Sequence, residues 1–196
     1  MAIKNRCLWA RKTEHEREYH DKEWGRPVHD DLRHFEMIIL EGAQAGLSWE
    51  TVLRKRDNYR KLFYQFDPVK VSKISKARIE KLLQDPGIIR NRLKVESTVS
   101  NAKAFLAIQK EFGSFDKYVW SFVDGKPLMP SFRQHSSLPS KTEISDRLSK
   151  DLKKRGFRFV GSTIVYAYMQ AAGLTQDHTK DCDLYGKRLR SLRVSD

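Results

Sequence analysis

Apolar residues recur at helical spacing along most of this chain, while the sustained period-two alternation of a β-strand is absent, as are Asn-Gly and Asp-Gly hairpin turns. Phe35, Ile38, Ile39 and Gly42 fall at i, i+3, i+4 and i+7 and predict a helix over 31–45. Gly46 stands where a left-handed C-terminal residue belongs, and Ser48 is placed to cap a next helix. That helix is expected to bury Trp49, Val52, Leu53 and Phe63 and to end near Asp67-Pro68. Further helices are expected from about Ser75 to the Asp85-Pro86-Gly87 turn, over 89–112, over 145–155 and over 163–172, the last stopped by Gly173. The three prolines of 123–140 mark a long loop. The expected fold class is all-α, and the 196 residues suffice for a single unit of two small lobes sharing a core.

No stretch is apolar for long enough to cross a membrane, and no apolar run follows the basic residues of MAIKNRCLWARK, so no membrane partner and a cytoplasmic location are expected. No heptad pattern suggests a dimer, and a monomer is expected. Lysine and arginine total 38 against 25 acidic residues, a formal charge of +13. Such an excess favours a polyanionic partner, because basic side chains release the counterions of phosphates. Arg54-Lys55-Arg56 and the runs at 90–94 and 150–158 concentrate that charge, whereas 186–196 reads as a flexible basic tail.

Cys7 and Cys182, the two cysteines, are either buried thiols or metal ligands, a disulfide being disfavoured in a chain without a secretory signal. His178 and Cys182 are four apart, so one turn brings both side chains to the same point, and Cys7 has His20 downstream. Two thiolates and two imidazoles make a closed tetrahedral set for one structural zinc ion. Each pair alone is a common coincidence.

The segment from Leu82 to Arg92, LLQDPGIIRNR, reads as helix, tight glycine turn and basic helix start. Backbone N–H groups at such a start suit a DNA phosphate; Gly87 and Ile88 would supply the close approach, and Arg90, Arg92 and Lys94 the charge. An ordinary turn between two helices has the same appearance. Trp9, Tyr19, Trp24 and Trp49 crowd the first quarter, and Glu41 interrupts the apolar run 38–42. An aromatic pocket holding one carboxylate would receive a flipped-out cationic base; core aromatics and a solvated Glu41 are the plainer alternative.

Several blocks taken in order closely resemble the DNA-3-methyladenine glycosylase I (Tag) family: Arg6-Cys7-Leu8-Trp9, 19–25 (YHDKEWG), 40–49 (LEGAQAGLSW), Gly87-Ile88-Ile89-Arg90, 119–123 (VWSFV), 153–157 (KKRGF), Phe159-Val160-Gly161 and Met169-Gln170-Ala171. The resemblance runs from about Arg6 to about Tyr185. It implies a helix-hairpin-helix DNA glycosylase fold, with the base pocket between two helical lobes. Cys7, His20, His178 and Cys182 would bind zinc and join the N- and C-terminal segments. Glu41 would act on the base inside a pocket of Trp9, Tyr19, Trp24 and Trp49, and Gly46-Leu47 would enter the space left by the flipped nucleotide. The implied reaction releases 3-methyladenine from alkylated double-stranded DNA and leaves an abasic site. Glu16 stands where the family usually has an aromatic residue. The position of the lysine nucleophile in bifunctional relatives is Asn91, which predicts hydrolysis without strand cleavage. Asp116 and Asp124 are the downstream carboxylates considered for activating water. A damage-binding protein without turnover would share most of these features.

Overall fold

Side-chain caps set where most of the helices begin. The computed structural model describes residues 3–187, so residues 188–196 of the expected tail lie outside the described residues. Thr13, Asp30, Ser48, Asp67, Ser75, Asn91, Ser114 and Thr142 each accept a backbone N–H at the start of a helix. The helices are α1 (Glu14–Lys22), α2 (Asp31–Gln44), α3 (Trp49–Leu53), α4 (Arg56–Leu62), α5 (Pro68–Val71), α6 (Lys76–Leu82), α7 (Arg92–Phe112), α8 (Phe115–Trp120), α9 (Glu143–Lys154) and α10 (Ser162–Ala171). Among the described residues there is no β-strand, only an isolated bridge between Leu128 and Thr175, and the fold is all-α as expected. No described helix is long and apolar enough to cross a membrane.

The centre is α2, buried continuously from His34 to Ala43 and packed against α7, α8 and α10. Phe35 meets Phe105 and Phe66 with ring centroids 5.0 and 6.4 Å away, and Phe105 stacks on Phe115 at 4.2 Å. Each such buried ring contributes roughly 1.5–3 kcal/mol. His34, inside this layer, is satisfied: it takes Tyr168 on Nδ1 at 2.7 Å and Asp116 on Nε2 at 3.2 Å.

Three local departures from the expected helices have physical causes. The single helix expected from Ser48 to about Asp67-Pro68 is broken into α3, α4 and a 3-10 turn (Tyr64–Phe66), with α5 starting at its expected end. Tyr64, Gln65 and Phe66 take left-handed φ of 55°, 56° and 57°, which returns Phe66 to the core beside Phe63 while Tyr64 stays exposed. The earlier break at Arg54–Lys55 lets Arg56 turn inward between two carboxylates. Secondly, α7 starts at Arg92 rather than near Ile89, because the Ile89 N–H donates to the Tyr59 hydroxyl at 3.2 Å and Asn91 caps the helix. Thirdly, α1 and α8 had no clear sequence signature; α1 is EHEREYHDK, whose buried face is only Glu16, Tyr19 and His20.

Behind α10 the chain makes a backbone-to-backbone contact that only glycine permits. Gly173 has φ +70°, and a Cβ there would lie 2.4 Å from the Arg26 carbonyl carbon and 2.5 Å from the Pro27 nitrogen. Gly25 N–H to Gln170 and Val28 N–H to Ala172 seal the same contact at 3.2 and 3.0 Å. Gly173→Ala should cost roughly 2–4 kcal/mol from steric overlap and left-handed strain together. A fall in melting temperature on the order of 10 °C is the expected reading for a domain of this size; an unchanged melting temperature would refute this account of the contact.

Candidate base pocket and metal centre

Cys7, His20, His178 and Cys182 converge to one buried point. Their ligand atoms all lie within 4.8 Å of one another, and the residues are at most 5% exposed. Cys7 Sγ is 3.5 Å from His178 Nδ1, and Cys182 Sγ is 3.5 Å from both His178 Nδ1 and His20 Nε2. Cys7 precedes a 3-10 turn (Leu8–Arg11), His20 projects from α1, and the other two lie in the irregular segment after Gly173. The interaction of the two buried sulfurs pushes the Cys7 thiol up and the Cys182 thiol down. A dication among these four groups would ionise both thiols, and the cluster could hold a metal ion. The remaining His20 nitrogen faces Asp21 at 2.9 Å, and Arg6 clamps that carboxylate through two nitrogens. Burial pushes the Asp21 carboxyl up, but Arg6 and His20 outweigh it and hold it below its usual range.

The cluster lies behind one wall of an aromatic pocket, with Trp24 between the two. Trp24 lies against His20 and His178, with centroids 6.0 and 4.8 Å away, and Trp9 meets Trp24 at 5.2 Å and Tyr19 at 6.2 Å. Tyr19 in turn meets Trp49 at 5.3 Å. These four rings, with Glu16, Glu41, Gln44 and Gln170, line a cavity of about 370 Å³. The expected pocket residues are therefore together, and Glu41 faces the cavity instead of bulk solvent. Glu41 is 5% exposed, and burial alone, offset by no hydrogen bond or charge, pushes its carboxyl up to about 8. Trp49 Nε1 is likewise buried with no partner among the described residues. A second cavity, also about 370 Å³, shares Glu41, Gln44 and Ala167 with the first and runs to Gly46 and Leu47. Leu47 is 42% exposed, and Gly46 has φ +77° with open space around it.

The turn between α6 and α7 keeps most of its N–H groups for itself. Gly87 N–H donates to Asp85 Oδ1 at 2.7 Å, Ile88 N–H to the Asp85 carbonyl at 3.4 Å, and Ile89 N–H to Tyr59. A Cβ at Gly87 would come within 1.9 Å of Asn58 Nδ2, so a larger residue there would have to displace the Asn58 side chain from Asp85. Ile88 is 2% exposed, which withholds its side chain from any surface contact. Arg90 is exposed, and Arg92 is exposed but paired with Glu80 at 2.5 Å. Lys94 departs from its expected place among surface cations: it is buried, and its ammonium donates to the Ala43 and Ala45 carbonyls.

Comparison with known proteins gives this arrangement a lineage, since the methyladenine glycosylase family description matches residues 9–185. The chain belongs to the methyladenine glycosylase family. A DNA-3-methyladenine glycosylase of Haemophilus influenzae is 50% identical over 177 residues, 90% of this chain and 96% of its own length. DNA-3-methyladenine glycosylase 1 of Escherichia coli K12 is 50% identical over 180 residues, 92% and 96% of the two chains. A 3-methyladenine DNA glycosylase I from Staphylococcus aureus, solved to show the structural basis of 3-methyladenine recognition, superposes with a TM-score of 0.90 at 38% identity over 93% of this chain and 97% of its own.

Several parts of this methyladenine glycosylase were hidden in the sequence. Arg56 is 7% exposed and binds Glu23 through two nitrogens at 2.8 Å and Glu36 at 2.7 Å, while its guanidinium lies 5.8 Å from the Tyr19 ring centroid. Burial pushes the Glu36 carboxyl up, but Arg56, Arg33 and Arg60 together hold it low. No sequence signal announces this network, because Arg56 sits in a basic run that reads as solvated surface. Gln44 had a signal: it follows Glu41 by one helical turn and shares its face.

Proposed function

We propose that this chain hydrolyses the N-glycosidic bond of 3-methyladenine in alkylated double-stranded DNA, releasing the free base and leaving an abasic site for base excision repair. Glu41 carries the reading: a buried carboxyl with no partner, pushed to about 8, at the junction of an aromatic pocket and a cavity leading to an exposed leucine. Alkylation at ring nitrogen 3 makes adenine cationic. Inside the pocket that charge would restore the ionised form of Glu41, whose oxygens would accept the exocyclic amine in a charge-assisted bond worth roughly 1.5–3 kcal/mol. Neutral adenine offers no such compensation, so the site discriminates by charge. Stacking on Trp9, Tyr19, Trp24 or Trp49 would add ~1–3 kcal/mol.

The base leaves as a neutral molecule, so protonation of the leaving group contributes little and flipping and selection are the protein's main tasks. Asp116 and Asp124 border neither cavity; Asp116 is engaged by His34 and His29, which argues against either as the residue that activates water. Asn91 is occupied as the cap of α7, in keeping with a monofunctional enzyme. DNA would be gripped at the helix-hairpin-helix formed by α6 and α7, where Arg90 is exposed, while Gly46-Leu47 would fill the vacated stack.

The metal is proposed to be one structural zinc ion. A tetrahedral ion with bonds of about 2.3 Å to sulfur and 2.05 Å to nitrogen has S···N edges of about 3.5 Å, the separation found for three of the sulfur–nitrogen pairs. Four protein ligands leave no position for water, so the ion would organise the fold and perform no chemistry.

Incubation with methylated duplex DNA, followed by chromatography of the released bases, tests the reading. Release of 3-methyladenine above the spontaneous rate is expected. Retained DNA binding with no base released would overturn it in favour of a damage-binding protein.

A further inference from the structure

A buried lysine is costly unless its charge is met by acceptors. Lys94 is 9% exposed, and burial pushes its ammonium down from the usual lysine value. It donates to the Ala43 carbonyl at 2.8 Å and to the Ala45 carbonyl at 2.6 Å. Helix α2 ends at Gln44, so these are among the carbonyls the helix leaves unpaired, and a cation there also meets the negative end of the helix dipole. Beyond Ala45 the chain turns through Gly46 at φ +77° and presents Leu47. The other end of Lys94 is equally fixed: its N–H is held by Asn91 Oδ1 at 3.2 Å, and its carbonyl accepts the Ser97 and Thr98 hydroxyls at 2.8 and 3.0 Å. One side chain thus joins the first turn of α7, next to exposed Arg90, to the turn that carries Leu47 and follows Glu41 by little more than one helical turn.

We infer that Lys94 is a positioning residue for base flipping, a strut that fixes the Gly46-Leu47 turn relative to the DNA-gripping start of α7. Phosphates held at α7 would then set the depth at which Leu47 enters the stack and at which the displaced base meets Glu41. The inference rests on the glycosylase activity proposed above and adds to it a residue that touches neither base nor phosphate.

The test compares Lys94→Met, which keeps the stem and removes the ammonium, with wild type on the same 3-methyladenine lesion in duplex and in single-stranded oligonucleotides. Only the duplex requires a wedge to extrude the base. Under single turnover the duplex rate should fall about tenfold or more and the single-strand rate by less than about threefold. Binding of free 3-methyladenine, read from quenching of the pocket tryptophans, should be unchanged and shows that the variant is folded. In a Leu47→Ala background, Lys94→Met should add little further loss on duplex DNA, because the strut then has no wedge to place. If Lys94→Met does not fold, Lys94→Gln, too short to reach both carbonyls, carries the same comparison. Equal losses on the two DNA forms, or losses that multiply in the double variant, would overturn the inference. Absence of base release by wild type from both forms would instead defeat the glycosylase reading on which it stands.

Discussion

Cys182→Ser is expected to loosen both termini together and to be the most destabilising single change in the chain. The four ligands come from two segments more than a hundred and fifty residues apart, and few apolar side chains hold them otherwise: α1 buries only Glu16, Tyr19 and His20, and the segment after Thr175 is irregular. Binding of structural zinc contributes on the order of 10 kcal/mol in small zinc modules, and that binding energy is folding energy. A serine hydroxyl replaces one thiolate poorly, and loss of the ion leaves three buried polar groups without a common partner. The expected result is loss of about one equivalent of zinc per chain by elemental analysis, with melting lowered by more than about 10 °C. Prolonged chelation of the wild type should give the same melting temperature as the variant. Because Trp24 packs on His20 and His178, the pocket should fail with the metal site, and quenching by free 3-methyladenine should disappear in both cases. Wild-type protein that carries no metal and melts identically in chelator would refute the zinc site.

What could be read from the sequence, and what could not, follows from how far each interaction reaches along the chain. The Cys7, His20, His178 and Cys182 cluster was visible because its residue types are scarce and because His178 and Cys182 are four apart. Glu41 stood out as an acid inside an apolar helical stripe, but the residues alone favoured a solvated face, and its place in a pocket came from the family resemblance. Lys94 and Arg56 were misleading for the opposite reason: each sits among lysines and arginines, and only the folded chain shows that its partners are Ala43 and Ala45, or Glu23 and Glu36. The turn after α6 was placed correctly in the chain but its hydrogen bonds were not, since Asp85 and Tyr59 take N–H groups that the turn pattern leaves open to a phosphate. Helix α1 escaped altogether, because a nine-residue helix with two ring-bearing buried positions carries almost no periodic signal.

Glu41→Gln should separate function from stability, in opposite directions. The carboxyl is raised to about 8 by burial, against a usual value of 4.5. Its folded form therefore holds a proton that the unfolded chain has lost at neutral pH. The stabilising balance is fully present below about pH 4.5 and declines as pH rises toward about 8, a cost on the order of 3 kcal/mol at pH 7. Glutamine is neutral throughout, so the variant should melt several degrees higher than wild type at pH 8 and close to it at pH 5. Excision should change the other way. A cationic base needs the ionised carboxylate, and below pH 8 that ionisation must be drawn from the binding energy. The single-turnover rate at subsaturating protein should thus rise with pH from 6 to 8, by up to about tenfold per unit, at constant salt. Glu41→Gln should lose about ten- to a hundredfold of wild-type activity at pH 8 and show a flat profile. A variant that keeps the wild-type pH profile would assign that titration to another group, and one that keeps the wild-type rate would remove Glu41 from base recognition. Gained stability with lost activity would identify the carboxylate as a group retained at the expense of the fold because the charged base requires it.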